Sequence, residues 1–320
     1  MYPLKFKPVY KERLWGGTKL NTVLNKDIPG EGIGESWELS GVEGDVSVVA
    51  NGAFAGSTLT ELIDREKDCL LGKKVYSKFG ETFPILVKFI DARQDLSIQV
   101  HPNDMLAAQR HKSFGKTEMW YIMQADKDAR LIVGFNRDVS RAEYEEHLAH
   151  NTLEKLLNYE KVAEGDTFFI NTGKIHAIGG GIMLAEIQQT SDITYRVYDW
   201  NRKDKNGNTR ELHTEMALDA IDYDRKDDFK VIYKQDKNTP HTMVESPYFT
   251  TNYIALEGVL QLDLSQLDSF SIYLCVEGEV QIANTEGSEL LKKGETALVS
   301  AATEKLELRA KKAKVLQVHL

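Results

Sequence analysis

The sequence predicts a mainly β protein of jelly-roll or barrel type with a few inserted helices. Two regions, from about residue 36 to 198 and from about 248 to 320, are dense in short alternating runs bounded by Gly, Asn and Asp, the pattern of half-buried strands. Helical patterns are few and fall between these runs rather than alternating with them, which disfavours a parallel α/β sheet. No GxGxxG or Walker-type loop occurs along the 320 residues, so neither a dinucleotide nor a P-loop site is expected.

Each element has a local reason. Thr58 with Glu61 three residues on forms a capping box that opens a helix through LTELIDREKDCLL. LSIQVHPND reads as a strand stopped by the turn Pro102-Asn103-Asp104, and DMLAAQRH (104–111) as a second helix. MWYIM (119–123) is a strand. Ser140 and Glu143 repeat the capping device before AEYEEHLAHNTLEKLLNYE, one or two short helices. The turn Glu164-Gly165-Asp166 leads the strand DTFFI, and AEIQQ and ITYRVYDW alternate as a strand or strand pair. NRKDKNGNTR (201–210) is a loop, followed by a connecting helix with Leu212, Met216, Ala217, Ala220 and Ile221 at helical spacing. In the C-terminal β region, Gly278 and Gly294 mark turns.

Forty Lys and Arg against 49 Asp and Glu give a net charge of −9 and a pI near 5.5. That balance argues against a nucleic-acid partner, and any anionic ligand needs a locally basic pocket. Cys69 and Cys275 read as two reduced, mostly buried thiols. The N-terminal segment has no signal-like apolar run and no stretch reaches the length of a membrane span, so a cytoplasmic, membrane-free protein is expected.

Polar residues that strands would bring together carry the chemistry. Gln99 and His101, two apart in a strand, project to one face. Glu118 heads the apolar strand MWYIM; if Trp120 and Ile122 share its face, a carboxylate enters the barrel and needs a partner or a metal. His176 follows Asn171-Thr172-Gly173 one short turn after a strand end, before the glycines 179–181, which allow a tight turn. Taken singly, the QxH and the His would more often be structural, and an exposed Glu at a strand start is as common as a buried one. On neighbouring strands of one barrel they make a metal site, with nitrogen and oxygen donors that suit Zn²⁺, Mn²⁺ or Fe²⁺. Glu186, Gln188, Asp192, Tyr195 and Arg196 crowd the next segment, as in strands lining a solvated pocket.

The segments QVHPND, GKTEMWY, INTGKIHAIG and QQTSDITYRVYDWNR, in this order, resemble type I mannose-6-phosphate isomerase (phosphomannose isomerase) in its short bacterial form, a family of the cupin superfamily. Residues 165–180 follow the second cupin motif, with Asn171 where Pro is usual and Gly180 where Asn is usual. The similarity is densest from Phe83 to Arg202, and RLWGG and GIGESWELS share it. The resemblance implies two cupin-type jelly-roll barrels, a catalytic one over residues 1–235 and a degenerate, metal-free one over 236–320 with Lys305 at the motif His position. It implies Gln99, His101, Glu118 and His176 as ligands of one Zn²⁺ per chain, other divalent metals remaining open, and Arg196 as the catalytic arginine. The activity implied is the interconversion of mannose 6-phosphate and fructose 6-phosphate through a cis-enediol. Lys116, shifted toward neutrality by the cation, and Asp192 are the two groups for the proton transfer, with Asp192 also placed to bind substrate. Lys88, Arg93, Arg137 and Arg202 stay open as phosphate ligands, and the chain is expected to be a monomer or homodimer. A cupin dioxygenase and a non-catalytic sugar-binding cupin are the alternatives.

Overall fold

Strand alternation builds three large antiparallel sheets in a computed structural model that describes every residue except 205 and 228. A six-stranded sheet runs, in spatial order, Thr167–Ile170, Glu118–Ala125, Ile182–Gln189, Ile85–Ala92, Val9–Gly17 and Ile33–Leu39. A five-stranded sheet runs Tyr195–Tyr198, Ile98–Val100, His176–Ile178, Arg130–Phe135 and Leu157–Lys161. The C-terminal sheet is built on three long strands, Thr250–Asp263, Ser271–Asn284 and Lys305–His319. The chain is therefore mainly β with few helices, as its sequence predicts, and no helix among the described residues is long and apolar enough to cross a membrane.

Period-two alternation decides what packs where. Along Glu118–Ala125, Trp120 and Ile122 join Leu131, Val133 and Ile178 of the five-stranded sheet, so the two sheets face each other across one core. Met119, Tyr121 and Met123 point the other way and pack with Phe249, Tyr253 and Ile272 of the C-terminal sheet. Each such fully buried side chain contributes roughly 1.5–3 kcal/mol. The outer face of the five-stranded sheet, with Ile98, Val100, Tyr195 and Val197, is covered by the helices Arg141–Ala149 and Thr214–Leu218.

The helix expectations hold in part. The Thr58–Glu61 capping box is complete, but Lys67, at φ 48°, ends the helix at Glu66 and the next turn starts at Asp68. Thr58→Ala removes one cap acceptor and is expected to lower stability by about 1 kcal/mol, read as a shifted denaturation midpoint with unchanged m. Ser140 caps Glu143 as expected, yet the Glu143 carboxylate turns to Arg137 instead of closing the box. Asp104–His111 is helical, capped by Asn103. The stretch LNYEK leaves the helical pattern and forms the Leu157–Lys161 strand, and the connecting helix is only the five residues Thr214–Leu218. Gly294 (φ 85°) lies in the turn Leu291 to Thr296, whereas Gly278 (φ 74°) sits inside a long strand at a register shift. Both cysteines are free; Cys275 is buried but Cys69 is exposed, against expectation, because it lies on a short surface helix.

Candidate metal centre and active site

The candidate metal donors come from both facing sheets. Glu118 heads a strand of the six-stranded sheet, while His101 directly follows Ile98–Val100 and His176 opens His176–Ile178 in the five-stranded sheet. His176 thus follows the end of Thr167–Ile170 by one short turn and opens a strand of its own. Gly173 (φ 85°) and the backbone-limited Gly179 let the chain enter and leave that strand; a Cβ on Gly179 would meet the Arg130 carbonyl at 2.0 Å.

Nε2 of His101 and Nε2 of His176 each lie 3.5 Å from a different oxygen of Glu118. Ligand atoms of the three residues all fall within 4.8 Å of one another, and this is the one group of its kind among the described residues. Both Nε2 atoms and both Glu118 oxygens are buried without a hydrogen bond, and Oε2 alone has an ion-pair partner, Lys116. Uncompensated polar atoms at such a depth are costly unless they coordinate something. Nδ1 of His101 bonds the Ile193 carbonyl at 2.9 Å and Nδ1 of His176 bonds the Lys174 carbonyl at 2.8 Å. A carbonyl accepts only from N–H, so each ring presents its lone pair at Nε2, as a metal ligand must. Burial first, then the charges of Lys116 and His176, holds His101 well below the usual histidine range; burial brings His176 down to about 4. Burial and the Glu186 carboxylate push the Glu118 carboxyl up to about 7, against the pull of Lys116. A cation among these groups would relieve that cost, so the donor set suits a metal ion.

Next to this cluster lies a cavity of about 500 Å³, which reaches it through Gln99 and Lys116 and not through the three donors themselves. Gln99 lines it, opposite His176 on one side and Arg196 on the other in the strand ladder. Lys116 lies buried within it, Nζ 3.2 Å from Oε2 of Glu118. Burial alone would lower the Lys116 pKa, but the Glu118 and Glu186 carboxylates outweigh it and raise it. Asp192 sits exposed on the same cavity, and Arg196 reaches it half-buried. Cross-strand pairing places Lys88 opposite Glu186, 3.0 Å apart, and Trp120 Nε1 donates to the other Glu186 oxygen at 3.0 Å.

Of the four residues open as phosphate ligands, only Lys88 lines the cavity. Arg137 is paired with Glu143, Arg202 donates to the Asp95 carbonyl, and Arg93 lies elsewhere on the surface. The arginines actually there besides Arg196 are Arg13 and Arg210. Arg13 is held by Glu35, whose carboxyl Lys88 and Arg13 bring down to about 2 against burial, and Arg210 is held by Asp199 at 2.7 Å. Five basic residues line the cavity (Arg13, Lys88, Lys116, Arg196, Arg210) against four acidic ones (Glu12, Glu35, Glu186, Asp192). Four of the five basic groups are ion-paired (Arg13 with Glu35, Lys88 with Glu186, Lys116 with Glu118, Arg210 with Asp199), so the cavity carries only a small local excess of positive charge. The missed residues lie in RLWGG and GIGESWELS, where the alternation of Glu35 and Trp37 was a signal, and in the loop 201–210, where none was.

Residues 3–119 match the phosphomannose isomerase type I catalytic domain family, and residues 239–320 match the mannose-6-phosphate isomerase cupin domain family. The chain is 38% identical to mannose-6-phosphate isomerase ManA of Bacillus subtilis (strain 168), over 93% of this chain and 92% of that protein. It is 34% identical to the mannose-6-phosphate isomerase of Streptococcus mutans, over 92% and 90% of the two chains. The crystal structure of the mannose 6-phosphate isomerase from Bacillus subtilis superposes with a TM-score of 0.91 at 32% identity, covering 100% of both chains. The chain belongs to the type I mannose-6-phosphate isomerase family.

Proposed function

We propose that the chain interconverts mannose 6-phosphate and fructose 6-phosphate, an aldose–ketose isomerisation through a cis-enediol. The observation that carries this reading is the convergence of the buried donor atoms of His101, Glu118 and His176, all within 4.8 Å of one another, beside a cavity lined by charged side chains. His101, Glu118 and His176 hold one divalent ion, zinc, with Gln99 as the fourth and weakest ligand. Bound there, the ion supplies Lewis-acid polarisation of the sugar oxygens. Arg196 places fixed positive charge beside the oxygen where enediolate charge develops; as a guanidinium it stays protonated and serves no acid–base step. Lys116, buried beside Glu118, carries the proton between C2 and C1, and Asp192 binds a sugar hydroxyl at the cavity edge. Basic side chains of the cavity receive the phosphate.

All of these groups come from one chain, so the site serves a monomer or a homodimer alike. Two free cysteines suit the reducing cytoplasm. The chain divides at 235/236 into a catalytic barrel and a C-terminal barrel of cupin type. The C-terminal barrel is read as metal-free, because Lys305, which opens its last strand, stands where the motif His would fall.

A coupled assay with metal-loaded protein tests the reading. Conversion of mannose 6-phosphate to fructose 6-phosphate without oxygen uptake is expected. Oxygen consumption with no isomerisation would mark a dioxygenase, and metal retained with no turnover a sugar-binding protein.

A further inference from the structure

Tyr195–Tyr198 is an edge strand, so one side of Arg196 has no strand to pair with. Residues 211–213 cover that side. The Arg196 backbone N–H donates to Nδ1 of His213 at 3.1 Å, and the His213 N–H donates to the Arg196 carbonyl at 2.7 Å. Nη1 of Arg196 donates to the Glu211 carbonyl at 2.8 Å. An imidazole nitrogen stands where a neighbouring strand's carbonyl would be. Accepting at Nδ1 puts the ring proton on Nε2, which faces the Glu211 carboxylate at 4.0 Å. His213 also precedes the helix Thr214–Leu218, whose Ala217 and Leu218 are buried in the same core as Tyr195 and Val197. The strap is anchored on both sides of the ring.

We infer that His213 is a positioning residue for Arg196: its neutral imidazole, by accepting the Arg196 N–H, fixes where the guanidinium meets the cavity, and protonation of the ring releases it. The inference rests on Arg196 being the catalytic arginine. Nε of Arg196 is buried and has no partner among the described residues, so the guanidinium depends on the strap for its placement. A protonated His213 has no lone pair at Nδ1 and would set an N–H against an N–H. The groups facing the ring are Arg196 and Tyr195 on the edge strand, the latter with its ring centroid 6.4 Å away, Glu211 on the strap, and His111 from the helix Asp104–His111, which itself bonds the Tyr195 hydroxyl at 2.8 Å. Partial burial and the Arg196 charge hold His213 below the ordinary histidine value of 6.5, so the acceptor is intact at neutral pH and is lost only in acid.

The test uses the full, metal-loaded chain with His213→Ala and His213→Asn, reading kcat/KM for mannose 6-phosphate across pH together with bound metal. The Asn side chain offers an acceptor oxygen near the position of Nδ1 and does not titrate. His213→Ala is expected to lower kcat/KM about tenfold, the loss of one ordinary hydrogen bond, with metal content unchanged. His213→Asn should stay within about threefold of wild type, within the spread of a retained hydrogen bond. It should also lack the acid limb that His213 gives the wild type. Wild-type kcat/KM in His213→Ala, equal impairment of both variants, or an unchanged acid limb in His213→Asn would overturn the inference. Near wild-type kcat in Arg196→Ala would sink the reading of Arg196 instead, whatever the His213 variants do.

Discussion

Glu118→Gln is expected to strip the protein of its metal and with it almost all turnover. The substitution keeps the shape of a fully buried side chain and removes the only anionic member of the donor cluster. Replacing groups that merely support a ligand lowers metal affinity about 10–100-fold, so loss of the charged ligand itself should exceed about 100-fold. Without the ion, the several kcal/mol it contributes to the barrier disappear, and kcat should fall by about 10³ or more. Metal analysis beside the isomerase assay checks both effects. One ion per chain with normal kcat in Glu118→Gln would contradict the assignment of this carboxylate. The fold should survive, because Lys116 keeps the Glu186 charge nearby.

Arg196→Ala is expected to separate binding of metal from catalysis. The guanidinium lies on the cavity wall and touches none of His101, Glu118 or His176 through a hydrogen bond. Its removal should therefore leave the ion in place. If it stabilises charge that appears only in the transition state, kcat should drop by roughly 10²–10³ with little change in KM, the size of effect that one preorganised donor has at a developing oxyanion. Steady-state kinetics with parallel metal analysis reads this directly. A kcat near wild type would remove Arg196 from the reaction, and loss of metal would recast it as part of the metal centre.

Much of the site is legible in the sequence because strand periodicity is short-range. Gln99 and His101 are two residues apart, and Glu118 shares its face with Trp120 and Ile122; Trp120 indeed lies edge-on to His176 with ring centroids 5.4 Å apart. The helix Asp104–His111 and the Thr58 box are equally local, since a cap and the N–H that donates to it lie within four residues. What sequence spacing does not carry is which distant segments meet. Arg13 and Arg210 reach the cavity from a first-sheet strand and a polar loop, and only tertiary structure brings them beside Arg196. The helix Lys73–Phe79 has no local cap to announce it: Gly72, at φ 92°, starts it, and its first N–H groups donate to Asp268, far away in sequence. LNYEK carries apolar residues that continue the preceding helical pattern equally well, and only pairing with Arg130–Phe135 makes it a strand. His213 offered no signal at all: its role depends on an edge strand whose neighbour is a loop.

Metal content measured beside turnover tests the central claim most directly. The purified chain is assayed for bound divalent ion and for isomerisation of mannose 6-phosphate, first as isolated, then after chelation, then after zinc is returned. One ion per chain is expected, lost and regained in step with activity. Full turnover by the metal-free protein would contradict the account.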